Sequence, residues 1–158
     1  MPSFLLRRIV SGGQTGVDRA ALDIAIALGI GCGGWVPRGR RAEDGTIASH
    51  YPVRECRSSS YGVRTRLNVR DTDGTLILCR GRPSGGTSLT LAIARELARP
   101  VRVVDLDHPD EPASVRTWIA NQRVKVLNVA GPRESGNPGI HADATAFLRS
   151  VLCPDKDT

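Results

Sequence analysis

The most constraining feature of this 158-residue chain is a unit that recurs along it: a short apolar run, a Gly-rich turn, then an amphipathic helix. Leu5 to Ser11 runs into Gly12-Gly13, and Val17, Ala21, Ile24 and Leu28 follow at helical spacing, with Thr15 and Asp18 as a capping box and Gly29 as the stop. Gly74 to Cys79 leads through Gly81 to Gly86 into a helix from Thr87 to about Arg99, closed by Pro100. Val101 to Leu106 precedes a helix carrying Val115, Trp118, Ile119 and Gln122 on one face. Val124 to Ala130 leads through Gly131 to Gly139 into a stripe of Ile140, Ala144, Phe147, Leu148, Val151 and Leu152. Continuous apolar strands alternating with amphipathic helices predict an α/β, Rossmann-like three-layer sandwich, with a mainly parallel sheet and helices on both faces. The length suits one domain spanning 1–158.

The stretch from Trp35 to Arg70 breaks this rhythm and reads as a basic, loop-rich insertion with one helix near Tyr61 to Arg70. It holds eight arginines against three acids, although the whole chain carries a net charge of only +6. Twenty of the 22 basic residues are Arg. Codon bias accounts for such a total, whereas its concentration in one segment suits either oxyanion recognition by guanidinium forks or a solvated basic face. Trp35, Tyr51 and Tyr61 lie in the same segment and could stack on a heterocyclic ring. Aromatic residues are only 4% of the chain, too few for a general single-strand nucleic-acid platform.

In open parallel sheets ligands bind beyond the C-terminal ends of the strands, where helix N-termini offer free N–H groups. Three loops occupy such positions: Gly12 to Gly16, Ser84 to Thr87, and Gly131 to Gly139. Each pairs glycines with hydroxyl or guanidinium donors, which points to a phosphate-bearing ligand. The run Gly29-Ile30-Gly31-Cys32-Gly33-Gly34 matches G-x-G-x-x-G but ends a helix instead of opening one, so it is no dinucleotide fingerprint. There is no Walker-type lysine loop, no G-x-S-x-G, and no metal-ligand spacing among His50, His108, His141 and the four cysteines. His141, in the first turn of the last helix, is either a site residue or a cap. If the chain is an enzyme, Glu134 and Asp73 are the candidate bases, but no paired carboxylates support a hydrolytic mechanism. No signal segment or membrane span is evident, which with unpaired cysteines predicts a cytoplasmic protein.

Four segments carry a family resemblance. They are Ser11-Gly-Gly-Gln-Thr-Gly-Val-Asp-Arg-Ala-Ala-Leu-Asp23, Gly34-Trp-Val-Pro-Arg-Gly-Arg-Arg-Ala-Glu-Asp-Gly45, Arg64-Thr-Arg-Leu-Asn-Val69 with Asp73-Gly-Thr-Leu-Ile77, and Gly131-Pro-Arg-Glu-Ser135 with Pro138-Gly-Ile140. With them the chain resembles, over nearly its whole length, the molybdenum carrier proteins, the circularly permuted YpsA-like branch of the SLOG superfamily. The resemblance implies a Rossmann-like fold, a homo-oligomer (dimer or tetramer), and noncovalent binding of the molybdenum cofactor, a phosphorylated pterin, for storage or delivery to molybdoenzymes. It places Gly13, Gln14, Thr15 and Arg19 in a first ligand loop, Gly85, Gly86 and Thr87 in a second, and Arg133, Glu134 and Ser135 in a third. Charge and donor type add Trp35, Arg38 and Arg40 as a cover over the ligand, with Arg64, Thr65 and Asn68 on the adjoining helix. The phosphoribohydrolase branch carries a Glu soon after its Gly-Gly-x-Gly-Thr turn. Here Thr87 is followed by Ser88-Leu89-Thr90, and the next Glu is Glu96, a departure that favours a binding protein over an enzyme. A nucleotide or nucleotide-derived ligand is the alternative, and nucleic-acid binding through the Arg-rich segment the third.

Overall fold

The computed structural model describes residues 6–153. The N-terminal segment Met1 to Phe4, the predicted strand start at Leu5, and Lys156 lie outside them. In chain order the elements are β1 (Arg8–Val10), α1 (Val17–Leu28), β2 (Gly31–Gly33), β3 (Trp35–Val36), β4 (Arg41–Ala42), β5 (Gly45–Thr46) and β6 (Arg54–Glu55). There follow α2 (Tyr61–Arg70), β7 (Gly74–Cys79), α3 (Gly85–Glu96), β8 (Val101–Asp105), α4 (Pro112–Asn121), β9 (Val126–Ala130) and α5 (Ile140–Leu152). Five strands form one sheet in the order β2-β1-β9-β7-β8, and every neighbouring pair is parallel. Helices cover both faces, so the fold is the expected Rossmann-like three-layer sandwich.

Alternation along the strands assigns the two faces. Ile9, Leu76, Leu78, Leu127 and Val129 point to one side and pack with the apolar stripes of α1, α4 and α5 into the main core. The other side carries Thr75 and Asn128 and lies under α2 and α3, whose Val69, Ile93 and Ala94 form a smaller cluster. Between those helices and the sheet the Asn128 amide donates to Thr75 Oγ1 at 3.2 Å, so both buried polar groups are partnered. Asp73 ties the start of β7 to that of β9, its carboxylate accepting the N–H of Lys125 (3.0 Å) and Val126 (2.9 Å).

Three local expectations change. The Thr15–Asp18 capping box does not form: α1 starts at Val17, its N-cap is Gly16 at φ 79°, and Thr15 turns outward to Glu43. α3 spans Gly85 to Glu96, so it starts two residues before Thr87 and stops three before Arg99. Gly31-Cys32-Gly33, which the sequence marks only as chain leaving a helix, is a strand on the edge of β1, paired through backbone alone.

Residues 35–70 are more ordered than an insertion of loops. β3 and β6 pair in parallel, β4 and β5 form an antiparallel hairpin, and Val36, Ala42, Ile47 and Tyr51 pack on Leu22 of α1. Arg40 organises this segment from within. Its guanidinium donates to the carbonyls of Ile47 (3.0 Å), Ala48 (2.6 Å) and Tyr51 (3.2 Å), whereas the Arg38 side chain is exposed. Replacing Arg40 by Ala should therefore lower unfolding stability by about 1–3 kcal/mol by orphaning those carbonyls, while Arg38→Ala should stay within about 0.5 kcal/mol. Urea titration of the two variants checks the contrast.

Candidate functional site

The sheet order sets β1, β9 and β7 side by side, so their following loops leave the same end of the sheet. Two of these loops touch through backbone. Gly16 sits at φ 79°, and a Cβ there would lie 2.3 Å from the Pro132 carbonyl oxygen, which accepts the Val17 N–H at 3.2 Å. Beside these loops and the β7–α3 loop opens a cleft of about 320 Å³, closed on its remaining side by the first half of α2. Gln14 and Asp18 come from the first loop and helix, Ser84 from the second loop with Gly86 and Thr87 from the first turn of α3, Arg133 and Ser135 from the third loop, and Tyr61, Arg64 and Thr65 from α2.

The cleft wall is rich in positive charge. Around the Tyr61 ring stand three guanidinium groups, Arg133 at 4.5 Å, Arg41 at 5.1 Å and Arg64 at 5.8 Å from its centroid. Arg64 pairs with buried Asp18 at 3.4 Å, and Arg41 donates to the Ser59 carbonyl at 3.1 Å. Arg133 forms no ion pair among the described residues. Guanidiniums gathered this closely repel one another and are relieved by an anion. Two buried side-chain atoms on the cleft residues also lack partners: Gln14 Oε1 and Arg64 Nε. Burial pushes the Asp18 carboxyl above its ordinary range despite the opposing pull of Arg64.

At the rim, Glu43 accepts hydrogen bonds from the Thr15 hydroxyl, the Ser135 N–H (3.2 Å) and the Ser135 hydroxyl (2.5 Å), and the two hydroxyl bonds hold its carboxyl below the usual range. Arg19 braces the first loop, donating to the Gly13 carbonyl at 3.1 and 3.0 Å and to Asp44 at 2.9 Å. Glu134 caps α5: its two oxygens accept the N–H groups of Gly139 (2.6 Å) and His141 (2.9 Å), which lowers its pKa. His141 itself reaches away from the cleft to Asp23 at 2.8 Å, and Asp23 also accepts from the Tyr51 hydroxyl at 2.5 Å. Burial first, then that contact with Asp23, pushes Tyr51 up to about 12.

Of the residues picked from sequence, the fold brings Gln14, Arg64, Thr65, Gly86, Thr87, Arg133 and Ser135 to the cleft wall. Gly13, Thr15, Arg19, Gly85 and Glu134 belong to the same loops and the helix starts that follow them, but do not line the space. Trp35, Arg38, Arg40 and Asn68 do not cover it. Asn68 clasps the Trp35 backbone, accepting its N–H at 2.7 Å and donating to its carbonyl at 3.0 Å. Both residues line a second cavity of about 280 Å³ that runs along β1 from Val10 to Arg8 and reaches Val126, and there Arg54 stacks 4.7 Å over the Trp35 ring. Asp73 sits just before β7, at the end of the sheet opposite the cleft, and its bonds to backbone N–H groups give it a structural task. Sequence reasoning missed Tyr61 as the hub of the arginines, although its place in the basic segment was a signal. It took Asp18 for a helix-start residue and not for a buried carboxylate on the cleft, and it missed Glu43, whose partner Ser135 is 92 residues away.

Among the described residues no group of His, Cys, Asp and Glu is arranged to hold a metal, and no helix is long and apolar enough to cross a membrane. All four cysteines are free thiols.

Asp18 carries a pH signature. A carboxyl whose folded pKa is raised keeps its proton longer in the native than in the unfolded chain, so its contribution to stability is full below 3.8, the ordinary value, and falls as pH rises through the folded value. Relative to Asp18→Asn, the native protein should thus lose stability as pH is raised from 4 toward neutrality. Paired urea titrations across that range test the sign.

The family model described as the circularly permutated YpsA SLOG family matches residues 9–152. Among solved structures, a "putative molybdenum carrier protein" from Syntrophus aciditrophicus SB is 41% identical, with a TM-score of 0.90 over 93% of this chain and 95% of that one. No curated protein matches. Fold and sequence agree with these comparisons, and the chain belongs to the circularly permuted YpsA family of the SLOG superfamily.

Proposed function

We propose that the protein binds the molybdenum cofactor noncovalently as a carrier. The observation that supports this most is the arginine cluster on Tyr61, set among three Gly-rich loops in one cleft. The donor set fits a phosphorylated ring. Arg133, Arg64 and the hydroxyls of Ser84 and Thr87 suit the phosphate tail, the Tyr61 face suits a flat heterocycle, and the unmet acceptor Gln14 Oε1 suits an N–H on such a ring. The name of the Syntrophus relative supports the same cargo. The cofactor's molybdenum chemistry belongs to whatever enzyme receives it, and this chain's residues have only to bind, orient and release. Glu134 and Asp73, each engaged by two backbone N–H groups, suit that reading better than hydrolysis. We extend the proposal to a homo-oligomeric, cytoplasmic carrier that hands its cargo to molybdoenzymes.

The second reading, a nucleotide or nucleotide derivative, rests on the same cleft, because phosphate donors and one aromatic face accept a purine as well as a pterin. Nucleic-acid binding is less well supported. Arg66 and Arg70 are paired with Glu96 and Asp71, and Arg40 points inward, so the basic segment is not one continuous stripe.

Protein purified from cells that make the cofactor should release a fluorescent oxidised pterin, and Arg133→Glu should carry at least about tenfold less, as expected when a charge-assisted contact is replaced by repulsion. Pterin no higher in the native protein than in the variant contradicts the carrier reading. Purine absorbance without pterin fluorescence selects the nucleotide reading.

A further inference from the structure

The tip of the β4–β5 hairpin carries a carboxylate to the mouth of the cleft, where a ligand's anion would sit. Two hydroxyls and a backbone N–H, from Thr15 and Ser135, converge on Glu43. That is a donor set suited to a phosphate oxygen, drawn from the first and third Gly-rich loops, and here an internal acid fills it. The same hairpin accepts the Gln14 Nε2–H at the Arg41 carbonyl, 2.9 Å away, which fixes that amide and leaves its Oε1 buried without a partner. Gln14 is only 2% exposed and lines the cleft, so the closed hairpin leaves hydrogen-bonding capacity unmet inside the candidate site. The hairpin is short, pairing only Arg41 with Thr46 and Ala42 with Gly45. Its apolar anchors are Ala42 and Ile47, while Glu43 to Thr46 are exposed. Polar ties press the tip against the loops.

We infer that Thr15 and Ser135 form an anion subsite at the cleft mouth, that Glu43 fills it in the free protein, and that an incoming phosphate or pyrophosphate group displaces the carboxylate and frees the hairpin tip. The inference rests on the anionic-ligand reading above and adds how ligand entry is controlled. The exchange is favourable because a phosphate group brings more charge and more acceptor oxygens to a place beside Arg133 than one carboxylate does. A mere strut would behave in the opposite sense, since removing it would loosen the loops and weaken binding.

Titration calorimetry of inorganic phosphate and pyrophosphate into the native protein, Glu43→Gln and Glu43→Ala separates the two. If the latch is closed in most free molecules, Glu43→Ala should bind about five- to tenfold more tightly, with Glu43→Gln between it and the native protein. Hydrogen exchange on the native protein needs no variant: amides 42–46 should exchange faster when pyrophosphate saturates the site. Unchanged or weaker binding by Glu43→Ala, or slower exchange at the tip, overturns the displacement and leaves the anionic-ligand reading standing. If neither anion binds the native protein or either variant, both fall together.

Discussion

Close backbone approach between the loops after β1 and β9 is the constraint on which the site depends. Gly16 lies against the Pro132 carbonyl, and Gly131 lies against the Leu78 carbonyl, where an added Cβ would come within 2.2 Å. With no side chain between them, the first and third loops and the end of β7 converge on one small region. The parallel order β2-β1-β9-β7-β8 makes that convergence available, because the three central strands end together. Helix placement then opens the crevice: α1 and α5 follow β1 and β9 onto one face, while α3 follows β7 onto the other.

Electrostatics are set by this placement. Asp18, buried at the start of α1, is the one carboxylate paired with Arg64, and its charge offsets only part of the guanidinium cluster around Tyr61. The other acids near the cleft are held by the frame. Glu134 caps α5, Asp44 holds Arg19, and Glu43 bridges two loops from outside. The result is a wall of donors with an excess of positive charge, the pattern expected of a site for a phosphorylated ligand.

Much of this was legible in the sequence, and the division has a physical basis. The helix stripes, the all-buried β7 and the three Gly-rich loops are written in local periodicity and turn chemistry, which the fold leaves intact. β2 carried no such signal, since Gly31-Cys32-Gly33 has no side-chain pattern and pairs only because β1 offers an open edge. The basic segment misled because charge density does not tell where a side chain points. Arg40 turns inward to carbonyls, Arg54 stacks on Trp35 outside the cleft, and only Arg41 and Arg64 of the eight arginines there join the ring at Tyr61. Contacts such as Glu43 with Ser135 depend on chain closure over many residues, which no local pattern encodes. Near the cleft the segment thus supplies one hairpin tip and the arginines Arg41 and Arg64, and not the expected cover of Trp35, Arg38 and Arg40.

The central claim is that the three-loop cleft, and not the basic surface at large, takes an anionic ligand. Backbone and guanidinium NMR shifts during a titration with pyrophosphate test it directly. Shifts should concentrate at residues 12–16, 84–87 and 131–136 and at the Nε–H groups of Arg64 and Arg133. Shifts centred on Arg8, Trp35 and Arg54, or spread evenly over the exposed arginines, would contradict it.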